Sequence, residues 1–190
     1  MTLDIKPLSK DLMDDFLAFF DHEAFADNPD WAGCYCQFYH YAAGDPRWDE
    51  AGGQENRALA REGILGGRMQ GYLAYADGKA VGWCNAGPKA GYIRLMSDQR
   101  LCGDDDAHTF SIVCYVVDAR LRRQGIARAL LQQACADARK QHYAYAEAYP
   151  QLLEASDASH YHGPQSLYEE EGFRVHKELG ASCVMRLHLA

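Results

Sequence analysis

The segment Val116-Val-Asp-Ala-Arg-Leu-Arg-Arg-Gln-Gly-Ile-Ala127 joins an apolar run to an arginine-rich turn and then to a helical pattern. Just upstream, Thr109 to Val117 is β-branched and aromatic throughout, the composition of a central strand buried on both faces. Downstream, Ile126, Leu130, Ala134 and Ala138 recur every four residues, and Ala127, Leu131 and Cys135 widen the stripe. A long helix is therefore expected from about Gly125 to Gln141. Arg120, Arg122, Arg123 and Arg128 fall within nine residues of a chain whose net charge is −8. Amide N–H groups at a helix start lack intrahelical partners and carry partial positive charge, and a glycine there lets a ligand approach the backbone. Such a turn suits a pyrophosphate; the alternative is a solvated basic turn that only caps the helix.

Working outward, Leu3 to Leu8 alternates as a short strand, and Pro7 within it suits a sheet edge. Lys10 to Phe20 places Leu12, Met13, Phe16, Leu17 and Phe20 on one helical face. Residues 27 to 54 break this pattern with Gly, Pro, Asp and rings, which predicts an ordered but irregular region packed by its aromatics. A second helix spans Glu55 to Leu65, and Asp77-Gly78 between two apolar runs predicts a hairpin over 71–76 and 80–85. Gly87 to Asp106 lacks a period and reads as a solvated loop. Tyr143 to Tyr149 is a strand, Gln165 to Glu171 a short helix stopped by Gly172, and 173–178 and 183–189 are two closing strands around Gly180. The order βααβββαβαββ defines one α+β domain over 1–190, a mixed, mostly antiparallel central sheet flanked by helices.

With 190 residues, 48% of them apolar, the chain can bury a proper core. Broad adhesion to nucleic acid or anionic lipid is disfavoured by 27 acidic against 19 basic residues. The first residues lack the layout of a signal peptide and no apolar run approaches a membrane span, which points to the cytoplasm. Seven scattered cysteines then favour reduced thiols over a disulfide framework. There is no G-x-x-x-x-G-K-[ST] and no G-x-G-x-x-G after a strand, so neither a P-loop nor a Rossmann site is supported.

Arg122-x-x-Gly125-x-Ala127, entered from Val116-Val117 and leading into the long helix, resembles the [QR]-x-x-G-x-[GA] acyl-CoA signature of the GNAT N-acetyltransferase superfamily. Ser166-Leu-Tyr-Glu-Glu-Glu-Gly-Phe173 resembles that superfamily's second signature, a helix with Tyr four residues before Gly-Phe. The likeness covers about residues 70 to 189 together with the first strand and helix. It implies an acetyl-CoA-dependent enzyme that moves acetyl to a primary amine by direct attack in a ternary complex. It implies further that backbone groups of Tyr115, Val116 and Val117 pair with the pantetheine arm. Amides of Arg123, Gln124, Gly125, Ile126, Ala127 and Arg128 would hold the pyrophosphate, with Arg122 opening the loop. Tyr168 would protonate the departing thiolate, and Glu147 takes the place where several relatives carry a catalytic carboxylate. No metal is needed, and dimerisation, where relatives show it, uses the last strands. Two departures stand out: Tyr161 replaces the usual Asn seven residues before Tyr168, and the stretch from Pro150 to Gly163 is long and contains His160-Tyr-His162, which offers a substrate-side lid or His162 as an alternative base.

The acceptor expected is a small-molecule amine or a protein N-terminus, and the acidic chain favours a cationic one. A reading from another class is a non-catalytic acyl-CoA-binding sensor or interaction domain. Cys34-Tyr-Cys36 lacks the second pair of a zinc finger and reads as structural thiols. Cys114, amid apolar neighbours, reads as an inert buried thiol and not as a nucleophile. The rings of residues 31 to 48 serve either packing or acceptor specificity.

Overall fold

The computed structural model describes residues 2–152 and 159–189. Seven strands form one sheet in the order β1-β2-β3-β4-β5-β7-β6. They are β1 (Leu3–Pro7), β2 (Tyr72–Ala76), β3 (Lys79–Pro88), β4 (Thr109–Val117), β5 (Tyr145–Ala148), β6 (Arg174–Glu178) and β7 (Cys183–His188). All neighbours are antiparallel except β4 and β5. As the proline suggested, β1 is an edge, and Asp77 and Gly78 take the left-handed backbone of a tight hairpin turn (φ 51° and 79°).

The helices are α1 (Met13–His22), α2 (Arg47–Glu50), α3 (Gly53–Leu65), α4 (Ile93–Ser97), α5 (Ile126–Lys140) and α6 (Gln165–Glu170). Along β4 successive side chains enter different cores: Ile112 and Tyr115 join Leu130, Ala134 and Tyr168 under α5 and α6, while Val113 and Val116 join Phe16, Phe20 and Trp83 under α1. Burial on both faces is why this strand shows no polar alternation. Helix α5 comes so close to the sheet that a Cβ at Gly82 would meet Ile126 Cγ2 at 2.9 Å, so a glycine on β3 sets how near the helix start lies to the strand. Among the described residues no helix is long and apolar enough to cross a membrane.

Residues 27 to 54 are irregular as expected: 3-10 turns at Pro29–Trp31 and Phe38–His40 precede α2. The ring of Phe38 meets those of Tyr39 and Trp48 edge-on at 5.3 and 5.2 Å, and Arg94 lies over its face at 3.7 Å. The reading of 87–106 as a solvated loop is corrected. Strand β3 runs to Pro88, and Lys89, Tyr92 and Leu95 are buried, since an aperiodic stretch can still plug the end of a sheet.

Candidate active site

The register of the central strand creates an opening. β4 pairs with β3 as far as Gly82↔Val117, but with β5 only from Thr109↔Tyr145 to Ile112↔Ala148. Between Asn85↔Cys114 and Ala86↔Ile112 the pairing skips Val113, a bulge that bends β4 where β5 leaves it. Beyond that point the β5-facing backbone of β4 has no strand partner, and a cleft of about 1170 Å³ opens there. It is lined by Cys114 to Val117, by Arg122, Arg123, Gly125, Ile126, Ala127 and Arg128, and by the start of α6. The opposite wall comes from residues 28 to 56, including Trp31, Cys34, Cys36, Tyr39 and Trp48.

At the helix start, Gly125 caps α5 with a left-handed φ of 85°, and a Cβ built there would meet nothing within 4 Å. The preceding Arg123 is also left-handed (φ 59°). Such a turn leaves the first amides of α5 facing open space. The arginines around it are oriented by acids. Arg122 forks onto Asp27, with Nη2 donating at 2.9 Å, and its Nε donates to the Val117 carbonyl at 3.3 Å. Asp27 is held below the usual carboxylate range by that guanidinium. Arg120 pairs with Asp118 and Glu23, and Arg128 with Glu170 and Glu171.

Of the residues expected at the site, Tyr115, Val116, Val117, Arg122, Arg123, Gly125, Ile126, Ala127 and Arg128 therefore line one cleft, and Gln124 does not line it. Tyr168 is fully buried, and its hydroxyl donates to the His162 carbonyl. It lies one atomic layer beneath the cleft at Gly163, where a Cβ would come within 2.8 Å of that oxygen.

Glu147 does not reach the cleft. One carboxylate oxygen takes hydrogen bonds from Arg186 Nε and Nη2 at 2.9 and 2.7 Å, and the other from Lys89 Nζ at 2.8 Å and the Tyr149 hydroxyl at 3.0 Å. Lys89 and Glu147 are 2% and 1% exposed. A carboxylate with both oxygens engaged by two cations inside the sheet has no free lone pair for an amine, so the expected base is corrected to a structural ion pair. Its lysine went unnoticed because a lone Lys after Gly87-Pro88 carries no signal.

His162, the alternative base, is buried between the cleft residues Tyr161 and Gly163 in the chain. Its Nε2 is 2.6 Å from the hydroxyl of Tyr39, a cleft residue, and the Tyr161 ring lies 3.9 Å from its own. Burial alone pushes its pKa down to about 4. Nδ1 is buried without a hydrogen-bond partner among the described residues. The rest of the expected lid, residues 153–158, lies outside the described residues.

Over residues 7–173 the chain matches the model of the acetyltransferase (GNAT) family, and it belongs to that family. It is an acetyltransferase enzyme, with the fold that the central strand and its turn implied. Solved structures share this fold at low identity. An N-acetyltransferase from Staphylococcus aureus Mu50 superposes with a TM-score of 0.59 at 16% identity, covering 100% of both chains. The PaiA N-acetyltransferase from Thermoplasma acidophilum, solved in complex with coenzyme A, gives 0.59 at 15% over 99% of both. The ribosomal-protein-S18-alanine N-acetyltransferase from Escherichia coli gives 0.51 at 14%, over 100% of this chain and 95% of that one. No curated protein matches the chain.

Proposed function

We propose that the protein transfers acetyl from acetyl-CoA directly to a primary amine of a small molecule or a protein N-terminus, both partners being held in one cleft. What carries this reading is the continuity of that cleft, from the open helix start, along the unpaired stretch of β4, to a wall of rings. The coenzyme A complex of the Thermoplasma relative supports the ligand, and the ribosomal-protein-S18-alanine N-acetyltransferase from Escherichia coli supports a protein N-terminus as one acceptor class.

Acetyl-CoA would supply the activated thioester. Backbone groups of Tyr115, Val116 and Val117 would hold the pantetheine arm as an added strand, and the amides from Arg123 to Arg128 the pyrophosphate. The side-chain-free Gly125 leaves room for that close approach. A strand amide near Val116 would donate to the thioester oxygen as negative charge gathers on it.

An alkylammonium with a pKa of about 10 must lose a proton before it can attack. That first proton goes to solvent, and we assign the second, shed as the C–N bond forms, to Tyr39 and His162. The amine proton passes to the Tyr39 oxygen as the Tyr39 proton passes to Nε2 of a histidine that burial keeps neutral. A weak base suffices, because the nitrogen becomes far more acidic once its lone pair is committed to the carbonyl carbon. For Tyr168 to protonate the leaving sulfur, its hydroxyl must turn from the His162 carbonyl and reach past Gly163 into the cleft. One residue thus orients both proton carriers.

Calorimetric titration with acetyl-CoA, ATP and NAD, followed by a thiol-release screen over amines, tests the reading. Micromolar binding of acetyl-CoA alone, with thiol release for one amine class, is expected. Tyr168→Phe should then lower kcat and leave acetyl-CoA affinity unchanged. Binding without turnover for any amine would favour the non-catalytic sensor, and no acetyl-CoA binding would overturn the cleft's assignment.

A further inference from the structure

The C-x-C motif remains unused by this chemistry, yet the fold brings its second thiol to the central strand. Cys34, Cys36 and Cys114 all line the cleft, and all seven cysteines are free. The Cys36 sulfur accepts a hydrogen bond from Asn85 Nδ2 at 3.2 Å. Asn85 is in turn the cross-strand partner of Cys114. Directly opposed residues of an antiparallel pair place their side chains together on one face. A sulfur held by Asn85 therefore lies on the face that Cys114 shares, and the two thiols pack in one buried cluster.

Local backbone and polar groups hold this arrangement in place. Tyr35 and Cys36 are both left-handed (φ 42° and 57°), a conformation that non-glycine residues keep only where their surroundings impose it. The Asn85 carbonyl oxygen is occupied by the Tyr92 hydroxyl at 2.8 Å, which turns its NH₂ toward Cys36. The two sulfurs are not equivalent. Burial opposes ionisation of Cys36, but hydrogen bonds at its sulfur, from Cys114 among others, outweigh it and hold the thiol below its usual range. Cys114, hydrogen-bonded to Cys36 and desolvated, is pushed well up. One thiol is thus the nucleophile and its neighbour the resolving partner.

We propose that Cys36 and Cys114 are a hydroperoxide-reactive dithiol in the cleft wall, closing to an intramolecular disulfide that pins the 34–36 turn to β4. The Cys36 thiolate attacks one peroxide oxygen, the O–O bond breaks, and hydroxide leaves and takes a proton to become water. Cys36 is then a sulfenic acid. Cys114 sulfur displaces that hydroxyl, the S–S bond forms, and the Cys114 proton leaves with the hydroxyl as a second water. Two thiols are oxidised and one peroxide is reduced to two waters. The inference goes beyond acetyl transfer and stands whether or not the cleft takes acetyl-CoA.

The test treats the reduced full-length protein with hydrogen peroxide, blocks remaining thiols, and maps peptides without reduction. A Cys36–Cys114 linkage in most chains is expected, reversed by dithiothreitol. Cys114→Ser should stop at a sulfenic acid on Cys36 that dimedone traps, and Cys34→Ser, which leaves both reacting thiols in place, should still form the Cys36–Cys114 bond. A Cys34–Cys36 linkage, a linkage between chains, or reaction confined to the exposed Cys102 overturns the proposal. The peptide map does not depend on acetyl-CoA, so failure of acetyl-CoA binding would remove the proposed function and leave this result untouched.

Discussion

On its β4–α5 side the cleft is made of periodic elements and offers mostly backbone: an unpaired strand edge and the first amides of a helix. On the side of residues 28–56 it is made of irregular turns and offers rings, thiols and a hydroxyl. Backbone is the same whatever the side chain, so the first wall suits a group common to every turnover. The second wall can be rewritten residue by residue without disturbing the sheet, which is where a choice of acceptor belongs. The contrast extends to charge. Ionised groups of the regular side are either paired on its surface, as Arg122 with Asp27, or locked inside it, as Lys89 and Arg186 around Glu147.

The strongest way to break the contrast is to unlock that interior. Glu147→Gln removes the negative charge shared by buried Lys89 and partly buried Arg186, and losing one partner of a buried pair costs about 3–5 kcal/mol. Because Lys89 keeps Asp106 at 2.8 Å and the Leu101 carbonyl at 2.6 Å, the loss should lie at the low end, about 3 kcal/mol. Urea unfolding measures it, and kcat of the folded fraction should stay within a few-fold of the native value. A collapse of kcat at unchanged stability would return Glu147 to the chemistry.

A buried group that touches the irregular wall through Tyr39 has its own signature. His162 titrates near 4 in the folded chain because burial penalises its charged form, against about 6.5 when unfolded. The unfolded chain therefore binds the proton first. The contribution of His162 is fully present above pH 6.5, and as pH falls from there to 4 stability should drop by about 3 kcal/mol. His162→Gln should flatten that window in urea midpoints measured across pH. An unchanged slope would mean that the ring is solvated, and would separate it from Tyr39.

A smaller effect sharpens the regular side. Gly125→Ala puts a methyl where a ligand would approach the amides, at a φ of 85° that disfavours any side chain. Stability should fall by about 1–2 kcal/mol, and acetyl-CoA Kd, read by calorimetry, should rise about tenfold, equivalent to about 1.4 kcal/mol. A cost in stability alone would leave the turn as a helix cap.

The two walls also differ in how they can be read from sequence. The four-residue stripe of α5, the uniform burial of β4 and the Asp77-Gly78 turn are local patterns, so these elements and the turn between β4 and α5 follow from them, whereas the insertion of β7 between β5 and β6 does not. The bulge at Val113 that opens the strand leaves no compositional mark. Nor do the pairings that finish the site: Tyr39 meets His162 across 123 residues, and Asp27 meets Arg122 across 95. The ion pair of Glu147 is illegible for the same reason. A strand glutamate looks alike whether it faces a ligand or a lysine that arrives from an aperiodic stretch.

The smallest effect falls on the acceptor wall. Trp31 is 39% exposed, lines the cleft and meets the Tyr161 ring edge-on at 5.5 Å. Being half out of the core, it contributes little to folding, so Trp31→Ala should lower stability by about 1 kcal/mol or less. An acceptor packed against it would lose one ring contact, worth about 1 kcal/mol, and its KM should rise about fivefold. Acetyl-CoA affinity, which the proposed function assigns to backbone on the other wall, should not change. Steady-state kinetics with the amine found by the thiol-release screen, beside calorimetry with acetyl-CoA, separate the two quantities. If both constants moved together, the rings would be shaping the cleft as a whole, and the division of labour between its walls would fail.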